Sequence, residues 1–386
     1  MTNNSINNTV NGLLGSFGAD FDADSNKIIN LTNPTLAQDA ATKSYVDNLA
    51  GAASENVIIG GNFGTNPWQR GTSFTNPPTN SFSADRFKLI YSNTAARNIN
   101  RTQDTPTVAE AGVYSEYCLD HSVTTSDVSI ASGDFEALAQ KIEGFNFTAI
   151  AQKEFTISFW VKATVTGTYG VSCYSSGANV TFVSEYTVNT TNTWEKKTLL
   201  ISASPSSGAW NYTNGEGLEV RFAIAAGSTY QTTPGSWNSG NFLTTSNQVN
   251  GLSSSANNFK LQLVKIEPGP VATPFPLELE SEILNDCLRY YWNEAVYNGP
   301  FTIQKYVAGV YFNSLRFPSV MRTAPTVILF NPNNGATGQI FNQSSGGNVA
   351  ASVGEISELN YAPFLTAGGF TVGQAAEFYI IASAEL

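Results

Sequence analysis

Trp210, Tyr212, Tyr230 and Trp237 are the residues whose type and setting best suit a binding chemistry. They lie in Gly208-Ala-Trp-Asn-Tyr-Thr-Asn-Gly215 and Tyr230-Gln-Thr-Thr-Pro-Gly-Ser-Trp-Asn238, loops crowded with Asn, Ser, Thr and Gly. A sugar presents an apolar C–H face ringed by hydroxyls, so its binder offers an aromatic platform with amide and carboxylate partners beside it. These four are the candidate ligand-binding residues. The rival reading is that each ring plugs an end of a β-sandwich core.

Other constellations are poorer. Asp120-His121 has no nucleophile elbow of the G-x-S-x-G type to serve, so His121 reads as a polar loop residue. Asp134 with Glu136, or the run Glu278, Glu280 and Glu282, could be posed as a glycosidase pair, but such a pair is defined by separation in space. The three glutamates read as the exposed acidic start of a helix, where negative charge is favourable. Asp20-x-Asp22-x-Asp24 resembles the start of a calcium loop, yet Ser25 and Leu31 stand where an EF-hand needs Gly and Glu. Cys118, Cys173 and Cys287 are widely spaced and read as buried free thiols. No catalytic residue, metal ligand or cofactor is expected.

Composition points the same way. The 386 residues carry 19 Lys+Arg against 30 Asp+Glu, a net charge of −11, which argues against nucleic-acid binding through phosphate neutralisation. Only 13% of residues are charged while 41% are hydrophobic, so the polar surface comes from Asn, Ser, Thr and Gly, residues of turns and strands. Neither a signal peptide nor a membrane-spanning run is evident, so no membrane insertion is expected.

The elements that must position these residues are mainly strands. Phe155, Ile157, Phe159 and Val161 alternate with polar neighbours, as do Leu218, Val220, Phe222 and Ile224, and a third set is Phe259, Leu261 and Leu263. Many half-buried strands between residues 56 and 277 predict a β-sandwich, a jelly roll. Pro268, Pro270, Pro274 and Pro276 close it. Leu279 to Tyr291 is a helical candidate, and Val307 to Phe317, Thr326 to Phe330 and Glu377 to Ala382 predict a smaller β domain over 278–386. Before the sandwich, residues 1–55 contain a short strand at Lys27–Leu31 and a helix from Leu36 to Leu49, capped by Thr35 and Gly51. That helix is too short to stand alone and needs a partner, either the domain behind it or its copies in neighbouring subunits.

Three stretches together resemble bacteriophage tail-fibre and related virion appendage proteins. They are Asn26-Lys-Ile-Ile-Asn-Leu-Thr-Asn-Pro-Thr35 running into Asp39-Ala-Ala-Thr-Lys-Ser-Tyr-Val-Asp47; Asn66-Pro-Trp-Gln-Arg-Gly-Thr-Ser-Phe74 with Ala84-Asp-Arg-Phe87; and Gln262-Leu-Val-Lys-Ile-Glu-Pro-Gly-Pro-Val-Ala-Thr-Pro-Phe275 followed by Cys287-Leu-Arg-Tyr-Tyr291. Phe87 stands where that pattern usually has Trp. The resemblance implies a trimeric fibre, a homotrimer made in the host cytoplasm and carried on the virion. Residues 1–55 would then meet a tail or baseplate protein, and the β-rich body would bind a host cell-surface glycan. Trp68, Arg70, Asp85 and Arg86 read as structural, with Arg70 or Arg86 paired to Asp85 in a partly buried network. The expected function is receptor binding and adsorption without catalysis. The alternatives are a non-binding structural appendage and an extracellular carbohydrate-binding or depolymerase module.

Overall fold

The computed structural model describes residues 41–42, 56–297, 299–305, 315–354, 356–365 and 370–386. The strand at Lys27–Leu31, the acidic turn around Asp22, and all but Ala41 and Thr42 of the helix from Leu36 to Leu49 lie outside the described residues, as does most of the strand expected at Val307–Phe317. The elements that follow belong to one unit, Gly51–Leu386.

Thirteen strands build the sandwich: β1 (Ser73–Thr75), β2 (Ser81–Phe82), β3 (Phe87–Ser92), β4 (Ala96–Thr102), β5 (Cys118–Thr125), β6 (Phe135–Glu143), β7 (Phe155–Ala163), β8 (Gly167–Ser175), β9 (Val180–Val188), β10 (Glu195–Ile201), β11 (Glu216–Ala226), β12 (Trp237–Ser239) and β13 (Asn258–Pro268). One sheet has the order β1-β4-β5-β13-β7-β10 and the other β12-β9-β8-β11-β6-β3-β2, every pair antiparallel. The alternation read from the sequence is what closes them. Phe155, Ile157, Phe159 and Val161 of β7 and Leu218, Val220, Phe222 and Ile224 of β11 are all buried in one core, with Phe159 edge-on to Phe222 at 5.1 Å. Each such side chain contributes roughly 1.5–3 kcal/mol by leaving water. The protein is mainly β, a jelly-roll sandwich with a smaller β-rich C-terminal part.

β13 departs from simple alternation. Phe259 and Leu261 face the core as expected, but Leu263 has φ +49° and the register against β7 shifts between Gln262 and Lys265. This bulge inserts one residue and reverses the parity, so Val264 and Ile266 enter the core in place of Leu263. Residues 56–61 dock against it: Val264 N donates to Gly61 O at 3.0 Å, and a Cβ on Gly61 would come within 2.0 Å of Val264 O.

The C-terminal elements are the helix α3 (Glu280–Leu288), which follows the short sandwich helices α1 (Val108–Ala111) and α2 (Gly144–Phe147), then α4 (Glu294–Tyr297) and strands β14 (Tyr291–Asn293), β15 (Phe301–Gln304), β16 (Leu315–Arg316), β17 (Thr326–Phe330), β18 (Gln339–Asn342), β19 (Gly347–Gly354), β20 (Asn360–Leu365) and β21 (Ala375–Ser383). β14, β15, β17 and β18 all pair with β21, whose Ala376, Phe378, Ile380 and Ala382 alternate into a second core with Trp292, Ile303 and Leu329.

Two glutamates here make stability depend on pH. Glu278 is half-buried and hydrogen-bonded to Asn56 rather than exposed with Glu280 and Glu282, because the chain packs it against the 56–62 segment. Burial pushes its carboxyl up to about 7 and that of Glu294, 1% exposed, up to about 8, from an ordinary 4.5. The folded state therefore binds more protons than the unfolded chain between pH 4.5 and 8, and stability is greatest at the acidic end and falls as pH rises. The melting temperature is expected to drop between pH 5 and 8, and Glu294→Gln to flatten the slope. A melting temperature rising over this range would refute it.

Candidate functional site

The four aromatic residues singled out in the sequence do not come together as one platform. Trp210 is a core residue, 9% exposed, stacked on Phe147 at 5.2 Å with its indole N–H donating to Ser207 O at 2.9 Å. Trp237 meets it edge-on at 5.7 Å, and its N–H donates to Ser202 O. These two rings plug the sandwich, as the rival reading had it. Tyr212 also stacks on Phe147, at 6.0 Å, but is 38% exposed. Tyr230 sits elsewhere, packed on Phe135 at 4.6 Å over the outer side of the second sheet.

A richer surface lies on the outer side of the first sheet. Strand register aligns outward side chains in rows. Ser73, Asn100, Asp120, Lys260 and Lys162 stand on β1, β4, β5, β13 and β7, and a neighbouring row includes Gln262, Trp160 and Lys196. Trp160 is half-buried between Gln262 and Lys196, opposite in parity to Phe159 and Val161. Asp104, just beyond β4, reaches over this surface. Its carboxylate accepts from Lys162 Nζ at 2.9 Å, from Lys260 Nζ at 2.6 Å and from Trp194 Nε1 at 3.2 Å. Burial opposes its charge, but the hydrogen bonds from Lys260 and Lys162 outweigh that and hold its carboxyl below the usual range. Lys260 is shifted up, the contacts with Asp104 and Asp120 overcoming its burial.

Asp104 also lines a cleft of about 450 Å³ with Gln103, Thr105, Tyr114, Ser115 and Glu116. Tyr114 is 70% exposed. Gln103 Nε2 donates to Glu116 Oε1 at 2.9 Å, and Ser115 Oγ donates to Asn62 Oδ1 at 2.7 Å, so the polar walls are held in place. Upstream, α1 is closed by a complete Thr107–Glu110 capping box and ends on Gly112 in the left-handed region, which turns the chain toward Tyr114. The cleft thus sets an exposed aromatic ring beside carboxylate, amide and hydroxyl groups. The period-two pattern of β7 could have marked Trp160 as outward. Tyr114 carried no sequence signal, since its exposure is decided by a loop.

Of the carboxylates weighed for catalysis, Glu136 and Glu278 are bonded within the fold. Glu136 lies in the core, touching His121 Nε2 through one oxygen and Arg97 at 2.9 Å and Asn93 at 2.8 Å through the other. His121 is therefore not a loop residue but a fully buried member of β5, drawn inward by this carboxylate. The three cysteines are free and buried. Among the described residues no group of three or more His, Cys, Asp or Glu could hold a metal ion, and no helix is long and apolar enough to cross a membrane.

The motif residues are structural. Arg70 pairs with Asp85 at 3.0 Å, whereas Arg86 turns away from Asp85 to Glu385 and to Lys141 O. Gln69 bonds Asp85, Tyr291 O and Asn293, and Trp68 Nε1 donates to Phe63 O.

No protein-family model and no curated protein matches this sequence. The solved structures it is similar to include the enzymatically active domain of bacteriophage CBA120 tailspike protein 4, at 13% identity and a TM-score of 0.32, covering 55% of this chain and 21% of that one. They also include TmCBM61 in complex with β-1,4-galactotriose, at 10% identity and 0.28, covering 56% and 100%. A third is the family 11 carbohydrate-binding module from Clostridium thermocellum in complex with a β-1,3-1,4-mixed-linked tetrasaccharide, at 8% and 0.29, covering 52% and 98%. The sandwich described above is defined by its own strand pairings, independently of what those proteins bind.

Proposed function

We propose that this protein is a glycan-binding adhesin without catalytic activity, acting in host-surface recognition as a trimeric phage tail fibre carried on the virion. The observation that carries the sugar-binding part is the exposed Tyr114 at a polar cleft that shares Asp104 with the Trp160 and Lys260 surface. An aromatic ring for the C–H face, with fixed carboxylate and amide groups around it, is the chemistry a pyranose needs. The fibre part is supported by the three resembling stretches. In this reading residues 1–55 attach and trimerise, residues 56–277 form the sugar-binding body and residues 278–386 the tip. Weak sites repeated threefold gain avidity.

The full chain is expected to pull down envelope polysaccharide from its host and to run in light scattering at a molar mass near three times the 41.3 kDa of one chain. Tyr114→Ala should weaken polysaccharide binding about tenfold, a loss of about 1.4 kcal/mol, with the melting temperature unchanged because the ring is exposed. A Tyr114→Ala protein that binds as well as the parent would remove this cleft from the account. Failure of the parent to bind any envelope polysaccharide would remove the adhesin.

A further inference from the structure

A second cleft, of about 360 Å³, shares no residue with the first. Its lining includes the apolar Val128, Ala225 and Val249 and the polar Ser132, Ser228 and Gln248. Val128 is 74% exposed at its edge. Three carboxamide residues line this cleft, and they differ in their bonding. Gln231 Nε2 donates to Ala226 O at 2.8 Å. Asn250 donates to Asp127 O at 2.8 Å and accepts from Leu252 N at 2.9 Å. Gln248 makes no side-chain hydrogen bond at all: its Oε1 and Nε2 are both buried and both without a partner. Its backbone is fixed, since Gln248 N donates to Thr245 O and the next amide, Val249 N, to Thr168 O at 2.9 Å. The amide is thus held by packing alone, in a residue that lines the cleft.

A buried donor and acceptor left unbonded destabilise a fold, and a ligand that bonds both would relieve that cost. The complement of a carboxamide is another amide, which accepts from Nε2 through its carbonyl and donates its N–H to Oε1. The walls add that this amide carries a small apolar group, for Val128, Ala225 and Val249, and stands among hydroxyls, for Ser132 and Ser228. We infer that this cleft binds an N-acetylated sugar, with the acetamido group on Gln248 and its methyl against the apolar lining. The inference extends the sugar-binding reading to a second position and rests on that reading for the class of ligand, but not on the Tyr114 cleft.

The test is saturation-transfer NMR on the full chain with N-acetylglucosamine, glucose and N-acetylalanine methylamide. N-acetylglucosamine should receive saturation most strongly at its acetyl methyl, and glucose little. Gln248→Leu should abolish the acetyl signal while leaving the melting temperature equal or higher, since an unbonded amide is removed. Val128→Glu, at an exposed position that cannot compromise the core, should reduce the signal several-fold and keeps the test decisive if Gln248→Leu folds poorly. Tyr114→Ala should leave it intact. Loss of the acetyl signal in Tyr114→Ala would assign the sugar to the first cleft instead. Equal signals from glucose, an acetyl signal that survives both cleft variants, or no signal in the parent would overturn the site. Equal binding of the peptide amide would make it a peptide site and overturn the sugar assignment.

Discussion

Glu136→Leu is expected to lower the unfolding free energy by about 3–5 kcal/mol, read as a fall in the urea midpoint at unchanged slope. Glu136 is fully buried between the sheets, where it faces Arg97, 1% exposed, and His121, 0% exposed. Burial alone would raise its carboxyl, but the contacts with His121 and Arg97 outweigh that and hold it below the usual range. Arg97 lies over the Tyr91 ring at 3.8 Å and also donates to Asn93 Oδ1, so it has no route to water when its partner is removed. The substitution leaves a cation stranded in the core, which costs more than the pair itself contributes. Against a total stability of typically 5–15 kcal/mol this is close to unfolding. Replacing all three charged or polar members together, with Arg97→Met, His121→Leu and Glu136→Leu, should recover most of the loss. A single-variant loss under about 1 kcal/mol would show that the triad is not desolvated as the structure has it.

Arg86→Leu is the second large effect, and a local one. The guanidinium of Arg86 is 1% exposed, stacked over the Tyr290 ring at 3.6 Å, donating to Lys141 O at 2.7 Å and paired with Glu385. Arg70 closes the same assembly, 2.9 Å from Glu385 and 3.4 Å over the Tyr291 ring, and Arg289 grips Glu143 with two hydrogen bonds of 2.9 and 2.6 Å. Loss of Arg86 leaves Glu385 half-compensated and uncovers the joint between the sandwich and the C-terminal sheet. The expected cost is again about 3–5 kcal/mol, the range for breaking a buried pair. In hydrogen exchange, β14 and β21 should lose protection before β7 and β11 do. Arg86→Lys should not restore it, because an ammonium cannot span Glu385 and the Lys141 carbonyl in one plane. Uniform loss of protection across both cores would count against a local joint.

The strands were readable wherever one face meets a core, because the alternation of Phe155 to Val161 or Leu218 to Ile224 is a direct record of that face. Leu263 was misplaced because a bulge inserts a residue without a compositional mark. His121 reads as a loop residue for a different reason: a polar side chain in a sequence suggests surface, and only three-dimensional pairing reveals that it shares one interior position with Glu136 and Arg97. The motif arginines read as structural from their aromatic surroundings, yet the partner of Arg86 lies 299 residues away at Glu385, beyond any local pattern. The aromatic loops drew attention to Trp210 and Trp237, whose N–H groups are satisfied by nearby carbonyls inside the fold. Tyr114 and Gln248 owe their interest to exposure and to an unmet bond, properties that belong to the folded chain alone.

The bulge at Leu263 also divides β13 for the purposes of variation. Up to Gln262 the even-numbered side chains lie on the outer face of the sheet, where Lys260 and Gln262 are themselves buried, bonded to Asp104 and to Tyr117 O. From Val264 onward the even-numbered positions are core, and the odd-numbered Lys265 and Glu267 are locked to each other at 2.8 Å and to Thr273. A mutational library or a lineage drifting along this strand thus meets a change of phase halfway. Side chains that bond loop groups up to Gln262 give way, at the same spacing, to apolar side chains of the core from Val264 onward.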